Sequence, residues 1–315
     1  MEYRKLGQSD IEVSVVGLGT WALGNDFFGE VDTDRGIMAI QKAIDIGINL
    51  IDTAPAYGQY HEAETTVGRA LKGRRQYAVI STKCGVHRIF GEYVKCLSPN
   101  VIRRELENSL KRLDTDYIDI YMLHWPDLNF GIEGALDLLA NFRREGKIRA
   151  AAVSNFNVKQ IKIAQKKADI VGIQPPCSLF DRSSFDNGII PYCRDNNIGV
   201  MTYGSLGGGI LSGAFQKPVE NSGRERRSSV YNYFNQSMWG KCNKVIDTLR
   251  TIANNRGVSI AEVSINWVLA QPGVTSALVG STNPDNVARN AAATHWELNP
   301  DELSSIEEAC KKFMS

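Results

Sequence analysis

Several polar and aromatic side chains of this sequence stand directly after short apolar runs. Asp52 follows Ile48-Asn49-Leu50-Ile51, and Tyr57 comes in the next loop, Ala56-Tyr57-Gly58. Lys83 closes Ser81-Thr82-Lys83 behind Tyr77-Ala78-Val79-Ile80, and His124 ends the run Tyr117–Leu123. Ser154 and Asn155, then Gln174, then Tyr203 end the three runs after that. Such a set could move a hydride and a proton. A free phenol, with a pKa of about 10, is a poor donor near neutrality. A neighbouring ammonium favours the phenolate and lowers that pKa. Lys83 could be the ammonium, Asp52 could hold it, and His124 could orient a carbonyl oxygen or help relay the proton. A nicotinamide would supply the hydride. Each residue alone has a plainer reading: a structural Asp52–Lys83 ion pair, a rim histidine, a tyrosine packed in its loop. The chemical reading rests on their meeting at one rim.

What would bring them to one rim is a repeat of strand and helix. The apolar runs are Val15-Val16-Gly17-Leu18, Ile48–Ile51, Tyr77–Ile80, Tyr117–Leu123, Ile148–Val153, Ile170–Ile173, Ile198–Thr202 and Ser276–Val279. Continuous apolar runs suit parallel strands buried on both faces. Amphipathic stretches lie between them. Asp34–Asp45 carries Ile37, Ile40, Ala43 and Ile44 on one face; Asn100–Leu113 opens after Ser98-Pro99, and another helix opens at Asn283-Pro284. Eight such units in about 300 residues predict a closed α/β (β/α)8 TIM barrel, with the open doubly wound sheet as the alternative. In such a barrel the active site lies at the C-terminal ends of the strands. Residues 2–14 read as a hairpin turning at Gly7-Gln8-Ser9-Asp10, placed to plug the barrel floor. Residues 213–240, rich in Gly, Ser, Asn and Arg, form a long loop after strand seven and suit a lid. No domain boundary is visible, so residues 1–315 are expected to form a single domain.

The bulk numbers narrow the field. The 315 residues are 43% hydrophobic and 23% charged, with a formal net charge of +1. That is ordinary globular composition, and nothing in it favours a nucleic acid partner. None of the six cysteines pairs as C-x-x-C and the four histidines are scattered, which argues against a zinc cluster. Reduced thiols in a cytoplasmic setting are the simpler reading. Met1-Glu2-Tyr3-Arg4-Lys5 leads into no apolar signal core, and no run of eighteen apolar residues could span a membrane. Gly17-Leu18-Gly19-Thr20-Trp21-Ala22-Leu23-Gly24 imitates a dinucleotide fingerprint, but its third glycine comes late and no helix follows directly. Gly204–Gly209 lacks the G-K-[ST] ending of a phosphate loop and fits better as a segment that a ligand approaches closely.

Read together, these segments resemble the aldo-keto reductase family from end to end. They are Gly17–Trp21, Asp52-Thr53-Ala54-Pro55-Ala56-Tyr57-Gly58, Ser81-Thr82-Lys83, Leu110–Asp119, Gly146-Lys147-Ile148-Arg149 and Val153-Ser154-Asn155-Phe156. Ordered motifs at several strand ends rarely arise together by chance. The resemblance implies a catalytic tetrad of Asp52, Tyr57, Lys83 and His124, with Tyr57 as general acid or base. It implies that Ser154, Asn155 and Gln174 hold a carboxamide and that Tyr203 stacks on the nicotinamide. Gly204, Ser205, Leu206, Gly207, Gly209 and Leu211 fall in the pyrophosphate segment. Gly280, Ser281, Thr282, Asn286, Arg289 and Asn290 fall at the adenosine end, and Gly19, Thr20, Trp21 and Asp52 join the cofactor set. Trp21, Tyr57, His124 and Trp125, with Phe27 or Phe28 and the 213–240 loop, would wall the pocket for a small carbonyl or alcohol. The three loop arginines, Arg224, Arg226 and Arg227, read as solvated or as readers of an anionic substrate group.

Within the family the chain looks closest to a bacterial branch of inositol- and sugar-related oxidoreductases and general stress reductases. It is also similar to potassium-channel β-subunits, which gives a second class of function: a cofactor-sensing binding module with vestigial chemistry. Relatives that favour NADPH place a Lys or Arg just after strand eight. Here Val279-Gly280-Ser281-Thr282-Asn283-Pro284-Asp285-Asn286 has no basic residue and Arg289 lies one turn on. The expectation is therefore dual use, with NADP(H) slightly ahead of NAD(H).

Overall fold

All eight apolar runs become strands of one closed parallel barrel. In chain order they are β1 (Val16–Gly19), β2 (Leu50–Asp52), β3 (Val79–Cys84), β4 (Ile118–Leu123), β5 (Ile148–Ser154), β6 (Gly172–Gln174), β7 (Gly199–Thr202) and β8 (Ser276–Gly280). Each strand pairs with its successor, and β8 closes on β1 through Leu278 opposite Gly17. This computed structural model describes residues 1–89, 92–127 and 129–314. Among them no helix is long and apolar enough to cross a membrane.

Alternation along the strands sorts side chains into two cores. Leu50, Ile120, Met122, Ala150, Ala152, Met201 and Leu278 point inward and fill the barrel. Their neighbours Ile51, Tyr121, Ala151, Val153, Val200 and Val279 point outward under the helices. This is the period-two pattern of a strand buried on both faces. Gly17 is small for a packing reason: a Cβ there would meet Leu278 Cδ2 at 2.6 Å and Leu50 Cδ2 at 2.9 Å.

The hairpin of Tyr3–Lys5 and Glu12–Ser14 does close the barrel floor. Leu6, Ile11 and Val13 belong to the inner core. Leu6 fits because Gly199 lacks a Cβ, which would come within 2.3 Å of Leu6 Cδ1. Helices start where the sequence offers caps. Asp32 accepts from Asp34 and Arg35 N–H at the head of Thr33–Asp45, and Asn283 accepts from Asp285 N–H at the head of Pro284–Ala292. Ser98 precedes the helix Pro99–Leu113 but makes no side-chain cap bond. There the proline at the first helical position carries the start.

Two segments differ from the sequence reading. A second hairpin, Val86–Ile89 with Glu92–Lys95, follows β3 and was not anticipated. The stretch read as a loop over 213–240 is partly helical: Arg227–Val230 is a helical turn, and the 21-residue helix Gln236–Arg256 begins inside it.

Candidate active site

Because every barrel strand runs the same way, the strand ends form one rim, and the polar side chains gather there. Lys83 and Asp52 are 0% and 3% exposed, so the ion pair is almost wholly removed from water. Lys83 Nζ donates to Asp52 Oδ1 at 2.9 Å and Oδ2 at 2.8 Å, to the Thr53 carbonyl at 2.9 Å, and to the Tyr57 phenol oxygen at 3.2 Å. Asp52 also accepts from Ser81 Oγ at 2.9 Å and Gln174 Nε2 at 2.7 Å. A buried carboxylate with this many donors holds its ammonium in one place.

The electrostatics depart from the sequence expectation. Tyr57 is not acidified; burial first, and then the Asp52 charge, hold its phenol well above the ordinary range. Burial draws the Lys83 ammonium down while Asp52 opposes it. Asp52 thus compensates the charge of Lys83, and desolvation of the phenolate prevails. His124 stands edge-on to the Tyr57 ring at 6.0 Å. Burial, then the charges of Lys83 and Lys95, keep its imidazole neutral, so the ring retains one N–H to donate.

Next along the rim the polar groups bond to one another. Ser154 Oγ donates to the Gln174 carbonyl at 2.7 Å, and Asn155 Nδ2 donates to the His124 carbonyl and to Ser154 Oγ, both at 3.0 Å. The Tyr203 hydroxyl donates to Asn155 Oδ1 at 2.9 Å. Asn155 takes a φ of 60°, a left-handed turn that asparagine tolerates better than most residues.

Asp52, Tyr57, His124, Ser154, Asn155, Gln174 and Tyr203 all line one cavity of about 1060 Å³. At one end it meets an aromatic wall of Trp21, Phe27, Phe28, Tyr57, Tyr93 and Trp125; Trp21 packs 5.0 Å from Phe27 and from Phe28 and stacks on Tyr57 at 6.0 Å. At the other end it passes Tyr203, Gly204, Ser205, Leu206, Gly207 and Gly209 and reaches Gly280, Ser281, Thr282, Asn286, Arg289 and Asn290. Of the residues expected to hold cofactor, Gly19, Trp21, Asp52, Ser154, Asn155 and Gln174 also line it. Two expected cofactor residues do not. Thr20 is 1% exposed and turns its hydroxyl onto the Asp52 carbonyl at 2.9 Å, and Leu211 is fully buried in the outer core. Lys83 is also withdrawn from the cavity and reaches it through Tyr57.

The sequence reading missed Val86, Tyr93 and Lys95, which the second hairpin brings to the cavity, and Tyr231, which lies across Gly208. Only the alternation Val86–Ile89 and Tyr93-Val94 could have flagged the hairpin. The three loop arginines separate. Arg224 and Arg226 are exposed, whereas Arg227 lines the cavity between Phe28 and Phe215 and pairs with Glu225 at 3.1 Å. Its Nε is buried without a partner. The loop that carries it is stitched to the loop after β1: Gly29 N–H donates to Arg224 O at 3.1 Å and Arg226 N–H to Phe27 O at 3.0 Å.

The aldo/keto reductase family model matches residues 15–311, which takes in the whole barrel. The chain belongs to the aldo/keto reductase family. Carbonyl–alcohol oxidoreduction with a nicotinamide dinucleotide is the chemistry of that family. This reductase is 36% identical over 318 residues to the aldo-keto reductase YhdN of Bacillus subtilis, covering 100% of this chain and 95% of that one. It is 34% identical over 322 residues to the NADH-specific methylglyoxal reductase of Escherichia coli, covering 96% of each. Among solved structures, the glycerol dehydrogenase of Gluconobacter oxydans superposes with a TM-score of 0.89 at 34% identity, over 99% of this chain and 95% of that one.

Proposed function

We propose that this aldo/keto reductase interconverts a small aldehyde, ketone or sugar carbonyl and its alcohol, with Tyr57 moving the proton. The observation that carries the reading is the buried Lys83 ammonium, clamped by Asp52 at 2.8 Å and donating to the Tyr57 oxygen at 3.2 Å at the head of a large cavity. A nicotinamide dinucleotide bound there supplies or accepts the hydride. Three features of the chain suit it. Gly204, Gly207, Gly208 and Gly209 all take positive φ and keep one wall free of side chains. The helix headed by Asn283 turns its N-terminus toward that end, which favours anions. The Arg227 guanidinium lines the cavity and sets a positive charge beside it, which suits a phosphate.

In reduction, Tyr57 gives its proton to the carbonyl oxygen. As it does so, negative charge grows on the phenol oxygen and the hydrogen bond from Lys83 strengthens. That bond is worth most in the transition state, which is what raises a rate. Neutral His124 donates to the same oxygen without competing for the proton. Asp52 keeps Lys83 charged and aimed. Gln174 gives one side-chain N–H to Asp52, its Oε1 is left to accept from a carboxamide N–H, and Ser154 and Asn155 exchange their mutual bond for that group. In oxidation the same atoms run in reverse.

For the dinucleotide we infer dual use with NADP(H) slightly ahead. Arg289 leans back onto Asn286 at 2.5 Å, and Asp285 in the same first turn disfavours a phosphate. The lead given to NADP(H) rests on the habit of the family. Tyr57→Phe tests the mechanism. It is expected to lose about 10²–10⁴-fold in kcat while the Kd for either oxidised dinucleotide stays within a few-fold of the parent. A variant keeping most of its kcat contradicts the assignment.

A further inference from the structure

Resting on that reading of the site, we propose that Lys95 makes the pocket select carbonyl compounds and alcohols that carry a carboxylate. Lys95 ends the second hairpin and lines the aromatic end of the cavity, away from the glycine-rich wall. Its ammonium lies 4.2 Å over the Trp125 ring, a cation–π contact that fixes a long, exposed side chain at the mouth. The field of Lys95 reaches His124, where it opposes protonation of the imidazole. The charge therefore stands within electrostatic range of the place where the reacting carbonyl sits.

Of the cations lining the cavity, Arg227 pairs with Glu225 and Arg289 bonds Asn286 at the far end, which leaves Lys95 as the cation of the aromatic end. Asp52 is taken by Lys83, Asp26 by Arg88, and Glu225 by Arg227. Asp181 accepts from Ser183 Oγ at 2.6 Å. Glu30, exposed at the cavity edge, makes no ion pair with Lys95. Among the described residues no carboxylate pairs with Lys95, and no hydrogen bond engages its ammonium. An aromatic pocket with a cation held at its mouth and paired with no carboxylate suits a ligand with an apolar or polyol body and a terminal anion. Lysine meets such an anion as a point charge and needs no defined approach angle.

The test compares isosteric substrates that differ in charge: 3- and 4-carboxybenzaldehyde against 3- and 4-carbamoylbenzaldehyde. Wild type is expected to favour the better-fitting carboxylate isomer over its amide by about fivefold in kcat/KM, what one exposed ion pair gives. The difference should lie in KM, since the contact is the same in ground and transition states. It should shrink between about 0.05 and 0.5 M salt, as the screening length falls. In Lys95→Gln the ratio should fall to about one, in Lys95→Glu it should invert, and in Lys95→Arg it should stay near the wild-type value. A wild-type ratio of one, or a Lys95→Gln ratio equal to wild type, overturns the proposal. So does an equal loss on both substrates, which would make Lys95 a packing partner of Trp125 only. If neither aldehyde is turned over with either dinucleotide, the reading of the site itself fails and this inference goes with it.

Discussion

Lys83 sits at the meeting point of a buried carboxylate and a phenol, so removing it has two separable effects. Lys83→Met takes from Tyr57 the donor that stabilises the phenolate. Alcohol oxidation should fall about ten- to a hundredfold, the worth of one charge-assisted hydrogen bond, and its alkaline limb should move to higher pH. The same change leaves Asp52 buried without a counter-charge, which destabilises by about 3–5 kcal/mol. Asp52→Asn combined with Lys83→Met should recover part of the melting temperature and none of the activity. An unchanged pH–rate profile would reduce Lys83 to a structural role. A second buried carboxyl lies outside the site. Glu105 accepts from Gly85 N–H at 2.7 Å, sits 3.2 Å from His87 Nδ1, and is pushed by burial up to about 8. Its folded value lies above the unfolded one, so the native state holds more protons between about 4.5 and 8 and loses stability as pH rises through that window. Glu105→Gln keeps the acceptor for Gly85 and cannot ionise. It should melt with wild type near pH 5 and above it near pH 8.5 by about 1 kcal/mol or more, one pKa unit's worth. Equal melting at both pH values would contradict the shift.

At the scale of elements, the floor hairpin is the piece most open to a direct measurement. Leu6 fills the barrel bottom beside Gly199, and Leu6→Ala should cost about 2–5 kcal/mol in urea unfolding. Its kcat should stay near wild type, because the proposed reacting groups sit at the opposite strand ends; a loss below about 1 kcal/mol would mean that the hairpin seals nothing. The hairpin and the barrel strands were legible in the sequence because both obey strong periodic rules. The strand runs are apolar on both faces, and Tyr3–Lys5 and Glu12–Ser14 flank a glycine turn. The hairpin after β3 was not legible. Glu92, Tyr93, Val94 and Lys95 are all exposed, so burial left no period-two mark on the second strand. What it carries, Tyr93 and Lys95, could not be placed before its fold was known. The gathering of Asp52, Tyr57, Lys83 and His124 was legible because strand ends share one rim in any closed parallel barrel. Thr20 and Leu211 stand off the cavity lining for the complementary reason. Residues beside a lining position can turn the other way, and only coordinates tell which. The sign of the Tyr57 shift was also hidden, since it depends on how deeply the phenol and Asp52 are buried rather than on which residues are present.

At the scale of the whole molecule, the loop after β7 and the loop after β1 meet over the cavity through the backbone bonds of Gly29 and Arg226. Most residues between Gly213 and Tyr231 are exposed or half-buried, so little apolar burial holds this crossing shut. Amide exchange at Gly29 and Arg226 is expected to slow when a dinucleotide is added, because Arg227 and Tyr231 then gain a ligand to rest on. Equal exchange with and without dinucleotide would count against a lid. The opposite end of the barrel has no such traffic. Tyr3, Arg4 and Leu6 bind the segments that lead into the strands, through the Gly47 and Val274 carbonyls and the gap at Gly199. The molecule thus has a sealed pole and an open one, and Met1 lies at the sealed pole. A resin, electrode or fusion partner joined through Met1 would leave the mouth facing solution and substrate capture unchanged, whereas one joined through the Lys95 amine would stand in the doorway.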